Sequence, residues 1–223
     1  MSDTVTYAPG RATEADLRLC GDVKGKRVLD LGTGDGANAI AFASQGAHVI
    51  GLDHSADRLA RARKLAAPTE VRVEWHESDA ADLAFLRADS IDLAFGSGVL
   101  DEVEDLDRVL RQVHRVLRPG APFVFSYEHP MSLAVRREID TPGALPLGAL
   151  EVRRSYFDPT PVDVTHGERT VRVWPRTIAD VFASLHRAGY RVEVLLEPEP
   201  TGSSDPGPAI PRVIVWRARK EGV

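Results

Sequence analysis

The sequence predicts an α/β fold: a mostly parallel seven-stranded sheet with helices on both faces, an antiparallel last strand, and an insertion after strand five. Three observations predict it. From residue 26 onward, short β-branched runs alternate with helical patterns, which implies a parallel sheet covered on both faces. Gly32, Gly34 and Gly36 stand at alternate positions between the first strand and the first helix. No helical pattern separates the last two strand-like runs, so that pair runs antiparallel.

Each element follows in order. Residues 26–31 (KRVLDL) form the first strand, 37–45 a helix stopped by Gly46, and 47–52 the second strand. Ser55 is an N-cap for an arginine-rich helix through Ala66, with Pro68 just beyond it. Residues 71–75 and 90–95 read as strands three and four. Asp105 caps a helix whose Leu106, Val109, Leu110, Val113 and Leu117 make one apolar stripe, and Arg118-Pro119-Gly120 ends it. Residues 121–127 are strand five.

The rhythm breaks over 128–176, which holds Pro130, Pro142, Pro146, Pro159, Pro161 and Pro175. That is too long for an ordinary connection in a compact α/β unit, and it reads as an insertion over one end of the sheet. Strand-like pieces lie at 152–157 and 170–174, and Gly143, Gly148 and Gly167 are its pivots. Thr177 and Asp180 make a capping box, with Asp in place of Glu. The helix they open carries Ile178, Val181, Phe182 and Leu185 and ends at Gly189. Residues 191–196 and 212–217 are the last two strands, joined by a loop rich in Pro and Gly.

Composition excludes several classes. With 223 residues, 43% hydrophobic and 27% charged, the chain is neither disordered nor fibrous. A globule of this size buries roughly 70% of its unfolded surface and needs no disulfide or structural metal. The single cysteine, Cys20, reads as a small core residue. No apolar run approaches the ~20 residues of a membrane span. Met1-Ser2-Asp3-Thr4 lacks the basic and apolar regions of a signal peptide, so a cytoplasmic setting is expected. Net charge is -5 and no basic block is present, which argues against a nucleic-acid partner. The seven His residues show no H-x-x-x-H pair, and no metal site is expected.

The informative segment is Val28-Leu29-Asp30-Leu31-Gly32-Thr33-Gly34-Asp35-Gly36. Glycine permits a tight turn and lets a ligand approach the backbone, while the helix start offers unpaired N–H groups. Spacing alone leaves two ligands open, because Gly32, Gly34 and Ala37 also satisfy the dinucleotide pattern G-x-G-x-x-G/A. Asp53, ending the second strand, suits a ribose hydroxyl under either reading.

At this point the chain resembles the class I S-adenosylmethionine-dependent methyltransferases, of the bacterial small-molecule type. Their first motif is an acid followed by G-x-G-x-G, which residues 30–36 match at every fixed position. Ser78-Asp79-Ala80, Leu117-Arg118-Pro119-Gly120, Trp174-Pro175-Arg176-Thr177 and Ala188-Gly189-Tyr190 resemble later family landmarks. The resemblance implies a Rossmann-like sheet and one domain over 1–223. Within it, 23–127 would be a cofactor-binding half, 128–176 a substrate cap, and 177–219 a C-terminal helix with the antiparallel strand pair. It implies S-adenosylmethionine as cofactor, S-adenosylhomocysteine as product, and methyl transfer to an oxygen or nitrogen of a small molecule. Asp30 would orient the methionine end against the backbone of Gly32, Thr33 and Gly34. Asp53 would hold the ribose, His54 would flank the adenine, Asp79 and Ala80 would hold its edge, and Ser97 would lie beside the sulfonium.

One departure concerns catalysis. Many family members carry a His pair after strand four, where this chain has Val99-Leu100-Asp101-Glu102-Val103. Methyl transfer needs alignment, dryness and sometimes a base. Asp101 reads either as that base or as a solvated acid at a helix start. His129, in Tyr127-Glu128-His129-Pro130, reads either as a base or as a brace for the turn. Tyr156, Trp174 and Arg176 are candidate acceptor contacts, Arg176 as a carboxylate clamp, and Tyr7 is a candidate lid. An NAD-dependent oxidoreductase and a non-catalytic cofactor-binding regulatory module are the rival readings. The expected partner is a small-molecule acceptor, with no nucleic acid and no membrane, and the chain is expected to be a monomer or homodimer.

Overall fold

The computed structural model describes residues 4–8, 12–137, 150–166, 169–199 and 210–222. Gly143, Gly148 and Gly167, read above as pivots, lie outside the described residues, as do Pro142 and Pro146. The elements are α1 (Glu14–Leu17), β1 (Arg27–Leu31), α2 (Ala37–Ser44), β2 (His48–Asp53), α3 (Ala56–Ala66), β3 (Val73–Glu77), β4 (Leu93–Ser97), α4 (Leu106–Val116) and β5 (Pro122–Glu128). There follow α5 (Pro130–Ala134), β6 (Val135–Arg137), β7 (Leu150–Val152), β8 (Val162–His166), β9 (Arg169–Val173), α6 (Ile178–Arg187), β10 (Tyr190–Leu196) and β11 (Val213–Lys220).

Seven strands form one sheet in the order β10-β11-β5-β4-β1-β2-β3. β11 runs antiparallel to both β10 and β5, and the other pairs are parallel. The chain leaves β1 toward β2 on one side and returns to β4 on the other. Ligands in open α/β sheets bind where the order reverses in this way, outside the carboxyl ends of the strands.

Strand alternation divides the core in two. Leu29 and Leu31 of β1 face a cluster containing Leu106, Val109, Leu110, Val113 and Val116 of α4, with Val181 and Leu185 of α6. Val28, on the opposite face, joins Ala39, Ala41 and Phe42 of α2 with Tyr7 and Cys20. The α4 stripe read from spacing is therefore the buried face, and each fully buried aliphatic side chain contributes about 1.5–3 kcal/mol. Both halves of the Thr177 box are made: Thr177 Oγ1 accepts from Asp180 N–H at 3.1 Å, and Asp180 Oδ2 accepts from Thr177 N–H at 2.9 Å.

Boundaries moved where side chains intervene. β4 begins at Leu93, three residues later than expected, because Asp92 Oδ2 takes the Arg27 N–H at 2.9 Å. Ile91 makes only an isolated bridge to Leu117. Ser97 is consequently the last residue of β4 and not past it. The expected strand at 152–157 stops at Val152, where the Arg153 and Arg154 N–H groups both turn onto Ala134 O. β9 matches the expected piece at 170–174, but it pairs with β8, which sequence patterning did not single out.

Candidate active site

The carboxyl ends of β1, β2, β4 and β5 open into a cleft of about 1450 Å³. Single small-molecule pockets are typically about 300–1,000 Å³, so the space suits two ligands side by side. It is walled by the glycine turn, Asp30, Asp53, Asp79, Ser97, Asp101 and Trp174. The N-terminal residues Thr6, Tyr7 and Ala8 also reach it.

The glycine turn is built from its own backbone. Gly32 has φ +66°, and a Cβ there would lie 2.6 Å from a Val99 methyl. Gly34 has φ +58°, and a Cβ would run into the Arg58 guanidinium. The turn is tied down by Thr33 N–H to Leu52 O at 2.8 Å and Gly34 N–H to Asp53 Oδ2 at 2.9 Å. Asp53 Oδ1 accepts from Ser55 N–H at 2.9 Å, and Arg58 Nη1 lies 3.5 Å from Oδ2. A carboxylate offers about four acceptor positions, so Asp53 keeps capacity on its cleft side. Its first task is nevertheless to brace the turn.

Asp30 is buried and accepts from Thr33 Oγ1 at 2.5 Å. Burial raises its pKa to about 7, Asp53 adds to the rise, and the Thr33 bond restrains it. On the adenine side of the family pattern, Asp79 Oδ1 accepts from Ala81 N–H at 2.7 Å. Asp79, Ala80 and the exposed His54 all line the cleft.

The N-terminal segment differs from its sequence reading. Tyr7 is 1% exposed, and its phenol is bonded to Glu14 and lies 3.6 Å from Cys20 Sγ. It points into the core and does not offer the acceptor a ring. Its carbonyl is what meets the site, accepting from Ser97 Oγ at 2.8 Å and Ser126 Oγ at 2.5 Å. Ser97 lines the cleft, with its hydroxyl proton committed to Tyr7 O. Asn38, in the first turn of α2, clamps Thr6 by Thr6 N–H to Oδ1 at 2.9 Å and Nδ2–H to Thr6 O at 3.0 Å.

On the acceptor side the candidates separate. His129 is 2% exposed; its Nδ1 accepts from Met131 N–H at 3.1 Å, so Nε2–H donates to Glu197 at 2.9 Å. Both nitrogens are engaged, and the ring caps α5. Tyr156 Oη accepts from Ile178 N–H at 3.1 Å and so serves the start of α6. Arg176 is no carboxylate clamp: its guanidinium donates to Leu100 O, Trp174 O, Val103 O and Glu104 O at 2.5–3.2 Å. It staples the loop after β4 to the segment after β9. Trp174 N–H bonds Asp101 O at 2.8 Å, and Trp174 lines the cleft.

Asp101 is the exception. Its Oδ2 accepts from Glu128 N–H at 3.3 Å, while Oδ1 is shut from solvent with no hydrogen-bond partner. Burial raises its pKa to about 6, with Glu102 and Glu128 adding to the rise. Tyr127 Oη is also buried without a partner, as is Trp216 Nε1. Both Asp101 and Tyr127 line the cleft and a small apolar pocket beside it.

A family model described as "Methyltransferase domain" matches residues 28–120. A solved S-adenosylmethionine dependent methyltransferase from Mesorhizobium loti shares 30% identity at TM-score 0.73, covering 91% of this chain and 94% of that one. The chain belongs to the S-adenosylmethionine-dependent methyltransferases. A solved chain from Listeria monocytogenes is 25% identical at TM-score 0.76, over 92% of this chain and 96% of that one. A curated relative, "Ubiquinone biosynthesis O-methyltransferase" of Hahella chejuensis, is 36% identical over 102 residues. That match covers 46% of this chain and 43% of the relative, less than half of either. The family's cofactor fits the residues present. The glycine turn has positive φ and no room for a Cβ at Gly32 or Gly34, it borders the cleft, and the buried acids Asp30 and Asp53 stand beside it.

Sequence reading missed Thr6, Asn38, Arg58, Ser126 and Tyr127 as cleft or anchor residues. Two carried a signal. Asn38 is a weak helix former in the first turn of a helix, and Ser126 is a lone hydroxyl in an apolar strand. No helix among the described residues is long and apolar enough to cross a membrane.

Proposed function

We propose that the chain transfers a methyl group from S-adenosylmethionine to an oxygen or nitrogen of a small-molecule acceptor, in the cytoplasm and as a monomer or homodimer. The observation that carries this reading is the three-glycine turn at the switch point of the sheet, with Asp30 and Asp53 buried beside it.

Asp30 holds the methionine end against Gly32, Thr33 and Gly34. Asp53 accepts from the ribose with the lone pairs that Gly34 and Ser55 leave over. His54, Asp79 and Ala80 border the adenine. When bound, the cofactor supplies an electrophilic methyl whose sulfur keeps the bonding electron pair. Within 128–176, α5, the paired β8 and β9 strands and Trp174 act as the acceptor cap and exclude water, and the Arg176 staple holds the loop after β4 against them. The acceptor's lone pair bonds the methyl carbon, and its proton passes to Asp101 Oδ1 and then to solvent. His129, Tyr156 and Tyr7 support this arrangement without touching the acceptor.

Calorimetry tests the reading. S-adenosylhomocysteine binds in the micromolar range and NAD does not. Binding of NAD without S-adenosylhomocysteine would falsify the assignment. Mass spectrometry after incubation with methyl-labelled cofactor and a metabolite extract then finds a labelled product, and its absence leaves a cofactor-binding regulatory module as the better account.

A further inference from the structure

The small pocket beside the cleft contains two polar atoms that the fold leaves unanswered. Its walls are mostly apolar, with Leu100, Leu106, Leu133, Val173 and Trp174; Glu128 and Arg176 also reach it, and the Arg176 guanidinium is spent on four backbone carbonyls. Into it come Asp101, whose Oδ1 has no partner, and the 7%-exposed Tyr127, whose phenol proton has no acceptor, since the neighbouring Trp216 indole N–H can only donate. A buried polar atom without a partner is costly, and native structures rarely keep one without a use. Here two share one pocket, Asp101 from the loop after β4 and Tyr127 from the end of the neighbouring β5, and both residues line the cleft as well.

The pair is also chemically specific. The Asp101 carboxylate accepts a hydrogen bond, whereas the Tyr127 phenol, held protonated by burial and by the nearby Asp101 charge, has one to donate. A hydroxyl satisfies both at once. It donates its proton to Asp101 Oδ1, accepts from Tyr127 with one lone pair, and keeps the second lone pair for bond formation. A neutral amine has a single lone pair. If that pair attacks a methyl carbon, nothing on the nitrogen accepts from Tyr127, and the phenol proton stays unanswered. A carboxylate or phosphate brings no proton and meets Asp101 as a like charge. The pocket holds only about 20 Å³, room for one water-sized group, so the acceptor's head enters and its body lies in the larger cleft.

We propose that Asp101 and Tyr127 form a hydroxyl-selective acceptor subsite, and that the acceptor is an alcohol or phenol on an apolar body. This rests on the methyltransferase reading and narrows it to O-methylation. In the reaction the hydroxyl oxygen bonds the methyl carbon, the methyl–sulfur bond breaks with its electron pair staying on sulfur, and the hydroxyl proton passes to Asp101 Oδ1.

The test uses matched probes with methyl-labelled S-adenosylmethionine and the full chain: 2-naphthol against 2-naphthylamine, and benzyl alcohol against benzylamine. The expected result is an O-methyl product at least ~10-fold faster than the N-methyl product of the partner amine, with Tyr127→Phe abolishing that preference. Equal or faster amine methylation overturns the proposal, as does methylation of neither member of either pair. So does a Tyr127→Phe variant that slows both alike. A readout independent of turnover is the ligand-free Tm of Tyr127→Phe. Removing the hydroxyl also takes an oxygen from beside the Trp216 indole N–H, so a fall of no more than ~3 °C is expected, and a larger fall shows a structural bond and overturns the proposal. Calorimetry with S-adenosylhomocysteine separates the two levels. Loss of that binding in the wild type defeats the methyltransferase reading itself, whereas intact binding with no hydroxyl preference defeats the subsite alone.

Discussion

The two ends of the cleft are built on opposite plans. At the glycine turn, the polar groups lining the cleft are already engaged: Asp53 by the Gly34 and Ser55 backbone N–H groups, and Asp30 by the Thr33 hydroxyl. At the end of β4 and β5, Asp101 Oδ1 and Tyr127 Oη are buried and left open. The first end is organised before any ligand arrives, so binding there has little left to order. The second holds unmet hydrogen-bonding capacity, which only an incoming group can satisfy. Affinity is therefore expected to concentrate at the first end and selectivity at the second, because a site rejects most strongly the ligand that leaves its buried polar atoms unpaired.

The largest expected effect breaks the comparison at the open end. Asp101→Asn lowers kcat by about 10²–10⁴-fold, the usual contribution of a positioned proton acceptor. S-adenosylhomocysteine affinity by calorimetry stays unchanged. The carboxylate must be unprotonated to act, so wild-type kcat rises with pH through about 6 and then levels, a value set by burial and by Glu102 and Glu128. Tyr127 and Arg176, which also face Asp101, hold their protons over that range. A profile that falls between pH 5 and 7 would assign the proton to another group.

At the engaged end, Asp53→Ala removes a charge-assisted acceptor worth about 1.5–3 kcal/mol, or roughly 10- to 150-fold in cofactor Kd. The same variant leaves the Gly34 N–H without its partner, so a fall in Tm accompanies the loss. Unchanged affinity in a folded Asp53→Ala protein would move the ribose contact, with Arg58 the next residue to examine.

The staple within the open end is next. Arg176→Met leaves four carbonyl oxygens to water or to nothing, at a cost of about 1–3 kcal/mol. Acceptor KM rises while S-adenosylhomocysteine Kd does not. Equal effects on both ligands would mean that Arg176 holds the whole cleft and not its acceptor half.

Asp30→Asn gives a smaller effect whose sign depends on pH. Its folded pKa of about 7 lies above the ordinary carboxylate value of ~3.9. The stability it contributes is present below about pH 4 and is lost as pH rises toward 7. At pH 8 the variant is therefore more stable than wild type, by the order of 1–3 kcal/mol, while it binds the cofactor's ammonium end more weakly. Equal Tm values from pH 5 to pH 8 would contradict the buried charge. His129→Gln is the smallest. It loses a cap and its bond to Glu197, about 1 kcal/mol, and keeps turnover; a kcat loss beyond tenfold would restore His129 as a base.

The elements of the sheet were legible because periodicity is local. The α4 stripe, the Thr177–Asp180 box and the three glycines each state their role within a few residues, since helix spacing, capping and positive φ are short-range physics. The antiparallel end of the sheet followed from a missing helical pattern between two strand runs. Asp53 was placed at the cleft by the same short-range pattern, since it ends β2, whereas the role expected of Asp30 came from the family motif and not from spacing. Tertiary structure alone decided the other half of the site. Tyr7 and Ser126 are 119 positions apart, and Arg176 and Leu100 are 76 apart. No local pattern connects them, and their bonds exist only once the sheet brings β4 and β5 beside the N-terminal segment and the cap. His129 and Arg176 carried the right chemistry for catalysis and clamping, yet each is engaged by groups that folding places around it. Asp101 read from sequence equally as a base or a solvated acid, and Tyr127 only as the end of a strand; burial decided between those readings, because a polar atom gains selectivity only where solvent no longer competes for it.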